Sequence, residues 1–460
     1  MNNNNNNTAI SNHYDVKPIS RPASINNNYS EKYQEDQYEA SLAEEQVEHV
    51  PEGTASPGKA LFMLLKAFIG TGVIFLPGSF VSGGLVLSIV LMVLLASLCL
   101  VAFQILVKAQ QSVGGSYGDV ANHLYGPWLK HLIHLFLCIS QMGFVASYLI
   151  FISENIGIVV NTLNDCNAPF APKYYIWIVL IVIIPLCWVR KIARLSWVAI
   201  IADVFIAFGL ICILYFTSAQ IAQNGVGKNI ILVNSENFGL MIGTAVFSYE
   251  GIGMVLPIVE GMKNPEKFPR VLTIGMIICS CVFTLIGAIG YIAYGDMTQA
   301  SVVANIPRVP LSVTVQLLYA IAMILTSPFM LYPPLTIVEK YIFGNRSGKV
   351  SFKVKMSKNF VRSLIAVVCA VVSFCVGSDN LNKFVALVGS LACMPLCFIF
   401  PGLFHYKITT KRSAKILDIA LIVFGCGILV YTMYVNINSW INPLPSGGIL
   451  IDLSASCGLE

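Results

Sequence analysis

The residues with the clearest chemical potential form a short string inside an apolar run. In NFGLMIGTAVFSYEGIGMVLPIVEGMKNP, residues 237–265, the segment Ser248-Tyr249-Glu250-Gly251-Ile252-Gly253 puts a carboxylate and two glycines mid-run. A second interruption, Gly70-Thr71-Gly72, divides KALFMLLKAFIGTGVIFLPGSF at residues 59–80. Each glycine costs a helix interior about 1 kcal/mol relative to alanine. The breaks also free backbone N–H and C=O groups, which a bilayer tolerates only where they face protein or a water-filled cavity. Free N–H groups at the start of a half-helix attract a carboxylate. Free carbonyls at the end of one suit an ammonium or a cation. A zwitterionic α-amino acid presents both groups at once. Ile69, Gly70, Thr71 and Gly72 are therefore expected on one side of a binding site, with Phe247, Ser248, Tyr249 and Gly251 on the other. Ser147, Tyr148, Thr326 and Ser327 are candidate walls. Taken singly, either glycine pair reads equally well as a small-residue packing motif.

Charged groups at membrane depth cost at least about 2.5–3.5 kcal/mol, so each one needs a reason. Glu250 lies in the second break, where a carboxyl balanced between burial and nearby amides can take up and release a proton. Its alternative role is to hold the unwound segment. Lys66 stands four residues before Gly70, on the same helix face, and either snorkels to the interface or occupies a cation position. Asp203 is its candidate partner or an alternative proton site. Glu154, Glu260 and Glu339 read as interfacial, as do His131 and His134 at the start of their span.

The elements that position these groups follow from composition. Of 460 residues, 56% are hydrophobic and 11% charged, against about 25% charged in soluble domains. The apolar blocks have the length of membrane helices. We read an all-α polytopic membrane protein with eleven spans, at about 60–80, 84–107, 130–160, 174–189, 196–218, 238–261, 271–294, 311–338, 361–377, 381–404 and 416–437. Residues 1–58 carry 9 acidic residues and 3 Lys/Arg in an Asn-, Ser- and Glu-rich stretch, expected to be a disordered acidic cytosolic tail. No signal peptide is expected. Residues 438–460 form a short tail on the opposite side. With the N-terminus in the cytosol, 19 Lys/Arg fall on cytosolic loops and 4 on the opposite ones, the bias of a positive-inside topology. The thirteen cysteines lie mostly in spans, where they pack as small apolar residues. Cys166 and Cys457 fall outside the spans, on the side where a disulfide is chemically allowed.

Spans one and six are both broken, and each opens a set of five: helices 1–5 at 59–218 and helices 6–10 at 238–404. Helix 11, at 416–437, stands alone. Such paired breaks are the signature of a five-plus-five inverted repeat with a ligand site between discontinuous helices. At this point a resemblance is plain. The strings LLKAFIGTGVIFLPGSFVSGGL, FSYEGIGMVLPIVEGMKNP, LLYAIAMILTSPFMLYPPLTIVEKYIF and LNKFVALVGSLACMPLCFIFP resemble the first, sixth, eighth and tenth spans of the amino acid/auxin permease family. The likeness is strongest to its vacuolar amino acid exporters and animal proton-coupled transporters, and covers residues 58–437. It implies the amino acid–polyamine–organocation transporter fold, small neutral amino acids as substrates, and proton rather than sodium coupling, with no other cofactor. It also implies a vacuolar or lysosomal membrane, with the plasma membrane as the alternative. Two rival readings stand beside it: a sensor signalling through its tail to a cytosolic partner, and a sodium-coupled transporter. No enzyme motif occurs, and no nucleic-acid partner is expected.

Overall fold

Long apolar runs must close their backbone hydrogen bonds internally, and here they do so as helices. The computed structural model describes residues 55–164, 169–190, 192–307, 309–344, 346 and 351–442, without the side chains of Thr71 and 192–197. Among these residues every regular element is helical, apart from an isolated β-bridge between Ala55 and Met262. Nearly all of the N-terminal tail, Cys166, Cys457 and residues 443–460 lie outside the described residues.

The helices are α1 (Pro57–Phe68), α2 (Leu76–Gly83), α3 (Leu85–Val113), α4 (Tyr117–Tyr125) and α5 (Pro127–Leu163). Next come α6 (Tyr175–Cys187), α7 (Ile192–Asn224), α8 (Phe238–Tyr249), α9 (Ile252–Glu260) and α10 (Phe268–Tyr294). The last five are α11 (Pro310–Phe343), α12 (Phe352–Val376), α13 (Leu381–Val388), α14 (Phe400–Ile408) and α15 (Arg412–Ile441). Among the described residues nine stretches, with α8–α9 and α13–α14 each counted as one, are long and apolar enough to cross a membrane. The α1–α2 pair passes that test only together, bent by 42°, and Pro172–Cys187 is apolar but shorter. The thirteen residues of α6 rise only about 20 Å, against a hydrocarbon thickness of about 30 Å.

Local signals explain the helix starts. Ser56 Oγ accepts from the Lys59 N–H at 3.3 Å, with Pro57 following as a first-turn residue that needs no N–H partner. Gly84 joins α2 to α3 at a φ of 79°, where a Cβ would stand 2.9 Å from the backbone of Leu232 and Asn234. Ser116 and Asp119 cap α4 reciprocally, and Asp119 also holds Lys130 at 2.9 Å.

The helices pack as two assemblies. One holds the broken pairs α1–α2 and α8–α9 with α3 and α10; the other holds α5, α6, α11 and α12. Helix α7 packs on both α10 and α11. A buried cation ties the second assembly together. Arg362 of α12 donates to Glu339 of α11 at 2.5 Å and to the carbonyls of Cys187 and Val189 at 2.8 and 3.2 Å. At the end of α14, His405 Nδ1 meets both oxygens of the fully buried Asp418 of α15 at 2.9 Å.

Two features were not legible beforehand. Helix α4 fills part of what reads as a loop between spans two and three. The tenth span contains two π-helical turns, Gly389–Cys393 and Pro395–Ile399, between α13 and α14. Proline frees a carbonyl upstream, and π turns inside helices gather at functional places.

Candidate functional site

The first break begins where α1 stops at Phe68. The Ile69 N–H still bonds to Leu65 O at 2.7 Å, and the Gly70 N–H turns to Phe68 O at 2.8 Å. A 3-10 turn, Thr71–Phe75, then starts a new axis that α2 continues. The first N–H groups of that turn have no upstream carbonyl in register, as at any helix start. In the second break, α8 stops at Tyr249, Glu250 is extended with ψ 118°, and α9 begins after Gly251. Met254 and Val255 N–H close on Gly251 O at 2.9 and 3.2 Å. Each break thus ends one set of carbonyls and opens a set of amides.

The two breaks meet. Ser248 Oγ donates to Gly72 O at 3.2 Å while also facing Thr244 O at 2.9 Å. The glycines divide into two kinds. A Cβ on Gly72 would stand 3.0 Å from Ser248 Cα, and one on Gly251 would stand 2.6 Å from the Phe68 ring, so these two permit close approach. At Gly70 and Gly253 a Cβ would meet nothing within 4 Å. There is open space beside both breaks.

Ionisable groups flank them. Lys66 Nζ stands 3.1 Å from Asp203 Oδ2, joining α1 to α7. That oxygen accepts no aligned hydrogen bond, so the pair is an ionic contact between two partly exposed groups. Glu250 is 8% exposed, and its Oε1 is sealed without a hydrogen-bond partner. Tyr117 of α4 and Cys393 and Cys397 of the π-helical stretch lie within its electrostatic reach. The Tyr117 hydroxyl donates to Leu396 O at 2.8 Å.

An aromatic layer lies beside the breaks. Phe247 packs on Phe144 at 4.4 Å and on Phe75 at 6.3 Å between ring centroids. Phe151 touches Phe75 and Tyr319, each at 6.2 Å. All five side chains are buried. Only Phe247 was singled out from the sequence. Phe144 and Phe151 were findable as a same-face pair seven residues apart, and Phe75 as the first ring after the break.

Other expected site residues are placed differently. Tyr249 is fully buried, its hydroxyl donating to Met92 O at 3.3 Å and its ring 5.4 Å from Phe283, within the first assembly. Ser147 and Ser327 donate to carbonyls of their own helices, Gly143 O and Met323 O, at 3.0 and 2.7 Å, which leaves their oxygens able to accept. Thr326 likewise donates to Ala322 O at 2.8 Å. Tyr148 is buried. Thr71 is described only by its backbone.

Comparison with known proteins comes to the same place. A family profile described as "Transmembrane amino acid transporter protein" matches residues 53–438. Two relatives called "Vacuolar amino acid transporter 3", from Schizosaccharomyces pombe and Saccharomyces cerevisiae, are 37% and 38% identical over 385 and 395 residues. Each match covers 84% of this chain but 58% or 57% of the relative. The chain therefore spans a little over half the length of these relatives. Among solved structures, the inward-facing conformation of Mhp1 superposes with a TM-score of 0.55 at 15% identity, over 88% of this chain and 91% of that one. That likeness is one of fold.

Proposed function

The chain belongs to the transmembrane amino acid transporter family, also called amino acid/auxin permeases, and we propose that it moves neutral amino acids across a membrane by alternating access, coupled to protons. The observation that carries this reading is the meeting of the two breaks across the Ser248–Gly72 contact, with open space at Gly70 and Gly253. In this reading the substrate carboxylate sits on the free amides of the Thr71–Phe75 turn and of α9. Its ammonium faces the carbonyls that end α1 and α8. Binding free energy then comes from groups already positioned by the fold, which keeps the ordering cost low.

Glu250 is the proposed proton carrier, because a buried carboxyl with an unsatisfied oxygen loses less as the neutral acid than as an anion. Lys66 is proposed to supply the positive charge at the foot of the first break, with Asp203 as its counter-ion. Sodium is the rival coupling ion: the Thr326 and Ser327 hydroxyls donate to helix carbonyls and keep their oxygen lone pairs for a cation, so its lower standing rests on the resemblance to proton-coupled transporters.

Eleven stretches cross the membrane in this reading, α1 with α2 counting once and α6 included, as two inverted sets of five followed by α15. The basic ends face the cytosol, the N-terminus is cytosolic and the C-terminus lumenal. The names of the yeast relatives favour the vacuolar membrane, with export from an acidic lumen. The test is uptake by the purified chain in liposomes over twenty amino acids at two pH gradients, with choline replacing sodium. An imposed pH gradient that accelerates uptake of none of the neutral amino acids refutes the proposal; a requirement for sodium moves it to the rival coupling.

A further inference from the structure

Glu154 reads from the sequence as an interfacial residue, but its Oε2 is sealed from solvent without a hydrogen-bond partner, while the residue as a whole is only partly buried. It stands on α5 one turn beyond Phe151, on the same helix face, and so just past the aromatic layer. Glu250 stands in the same relation to Phe247, three residues further along α8 and its break. Helices α5 and α8 run in opposite directions in the topology proposed above. The layer therefore has on each side a carboxyl with one sealed, unbonded oxygen: Glu250 toward the basic face and Glu154 toward the opposite one.

Among the described residues no Lys or Arg forms an ion pair with Glu154, and Arg308, expected on the same side, lies outside them. The elements packed on α5 include the Pro172–Tyr174 turn, α6, α11, α12, the Val302–Asn305 turn, the Ser378–Asn380 turn and α13. Lys173 lies over the Tyr174 and Phe374 rings at 5.5 Å, and Lys383 over Trp440 at 5.8 Å. The Tyr175 hydroxyl is buried and unbonded, that of Tyr319 donates to Ile206 O at 3.2 Å, and the Cys375 thiol is exposed. Asp379, in the Ser378–Asn380 turn packed on α5, adds another carboxylate on this side. A carboxyl oxygen sealed without a donor favours the neutral acid over the anion.

We propose that Glu154 is a second proton-binding group, loaded from the side opposite the basic face and separated from Glu250 by the closed aromatic layer. This rests on the proton-coupled reading above. In it, Glu154 takes up a lumenal proton as a neutral acid before the layer opens, so that the substrate site is never entered beside an uncompensated anion.

The experiment uses the full chain in vesicles with the cytosolic-side pH held neutral and the lumenal-side pH varied. The amino acid probe is whichever neutral one gives the largest pH-driven flux. Wild type is expected to show an acid limb in lumenal pH. Glu154→Gln should lower by about one the number of protons that this limb reports, while amino acid exchange with both sides acidic is retained. Glu154→Asp should restore the limb with a displaced midpoint. A Glu154→Gln limb identical in steepness and midpoint to wild type overturns the inference and leaves proton coupling standing. If Glu154→Gln fails to exchange at all, an unshifted midpoint in Glu154→Asp overturns it instead. A wild type indifferent to pH on both sides overturns the underlying reading as well.

Discussion

The four glycines of the two breaks should separate stability from binding. In Gly72→Ala the new methyl would stand 3.0 Å from Ser248 Cα, a backbone atom, whereas relaxed carbon–carbon contacts lie at about 3.5–4.0 Å. The turn and the end of α8 must move apart by about half an ångström. That movement stretches the Ser248–Gly72 hydrogen bond, already at 3.2 Å, beyond useful length. Overpacking costs about 1–3 kcal/mol and the lost bond about 0.5–1.5 kcal/mol, so Gly72→Ala should destabilise by about 2–4 kcal/mol. Gly251→Ala meets a ring edge at 2.6 Å and should cost a similar amount, less whatever Phe68 recovers by turning. Gly70→Ala meets nothing within 4 Å, and its stability should stay within about 0.5 kcal/mol of wild type. Gly70→Val adds bulk to the same open space and should abolish amino acid binding while the chain still inserts and folds. The assay is thermal unfolding of detergent-solubilised protein beside equilibrium binding of a radiolabelled amino acid. Wild-type affinity in Gly70→Val would mean that the open space is a hinge clearance and not a site. Wild-type stability in Gly72→Ala would show that the contact between the breaks does not hold them.

Further outcomes follow from other groups. Glu250→Gln should abolish pH-driven accumulation while leaving amino acid exchange measurable; normal accumulation would return Glu250 to a role in holding the break. Arg362→Ala leaves two buried carbonyls without their donor and Glu339 with only Lys358 at 4.0 Å, and should cost about 3 kcal/mol, the low end for a broken buried pair, read as a fall in unfolding temperature. Asp119 is partly buried, which alone would raise its pKa, but hydrogen bonds from Ser116 and the Lys130 charge outweigh burial and hold its carboxyl below the usual range. Its contribution to stability is therefore fully present above the unfolded value of about 3.9 and is lost as pH falls through the lower folded value. Asp119→Asn should remove that acid-side loss, measured as unfolding temperature against pH.

Much of the architecture was legible in the residues because the signals are local. A long apolar run in a bilayer satisfies its backbone most simply as a helix, so most helices could be placed from run length, although α12 starts at 352 and not at the expected 361. The two breaks were equally legible, since paired glycines weaken a helix wherever they fall. Two departures have local causes too. The stretch read as a span at 174–189 is a thirteen-residue helix with Pro185 in its last turn. The Cys393-Met394-Pro395 segment, read as plain helix, is where the chain opens into π turns.

What the sequence by itself determined is where the chain must break and which groups the breaks release. Partnership was decided by the tertiary structure, even for Lys66 and Asp203, which the sequence offers only as candidate partners. Ser248 and Tyr249 are adjacent, yet one faces Gly72 and the other Met92, because successive helical residues point about 100° apart and an unwound segment loses that phase. Lys66 finds Asp203 on a helix four spans later. The aromatic layer draws rings from α5, α8, α11 and the first break, with no spacing in common. In the Gly70-Thr71-Gly72 and Ser248–Gly253 segments local chemistry interrupts the helix, but only packing decides which glycine touches a neighbour and which faces open space.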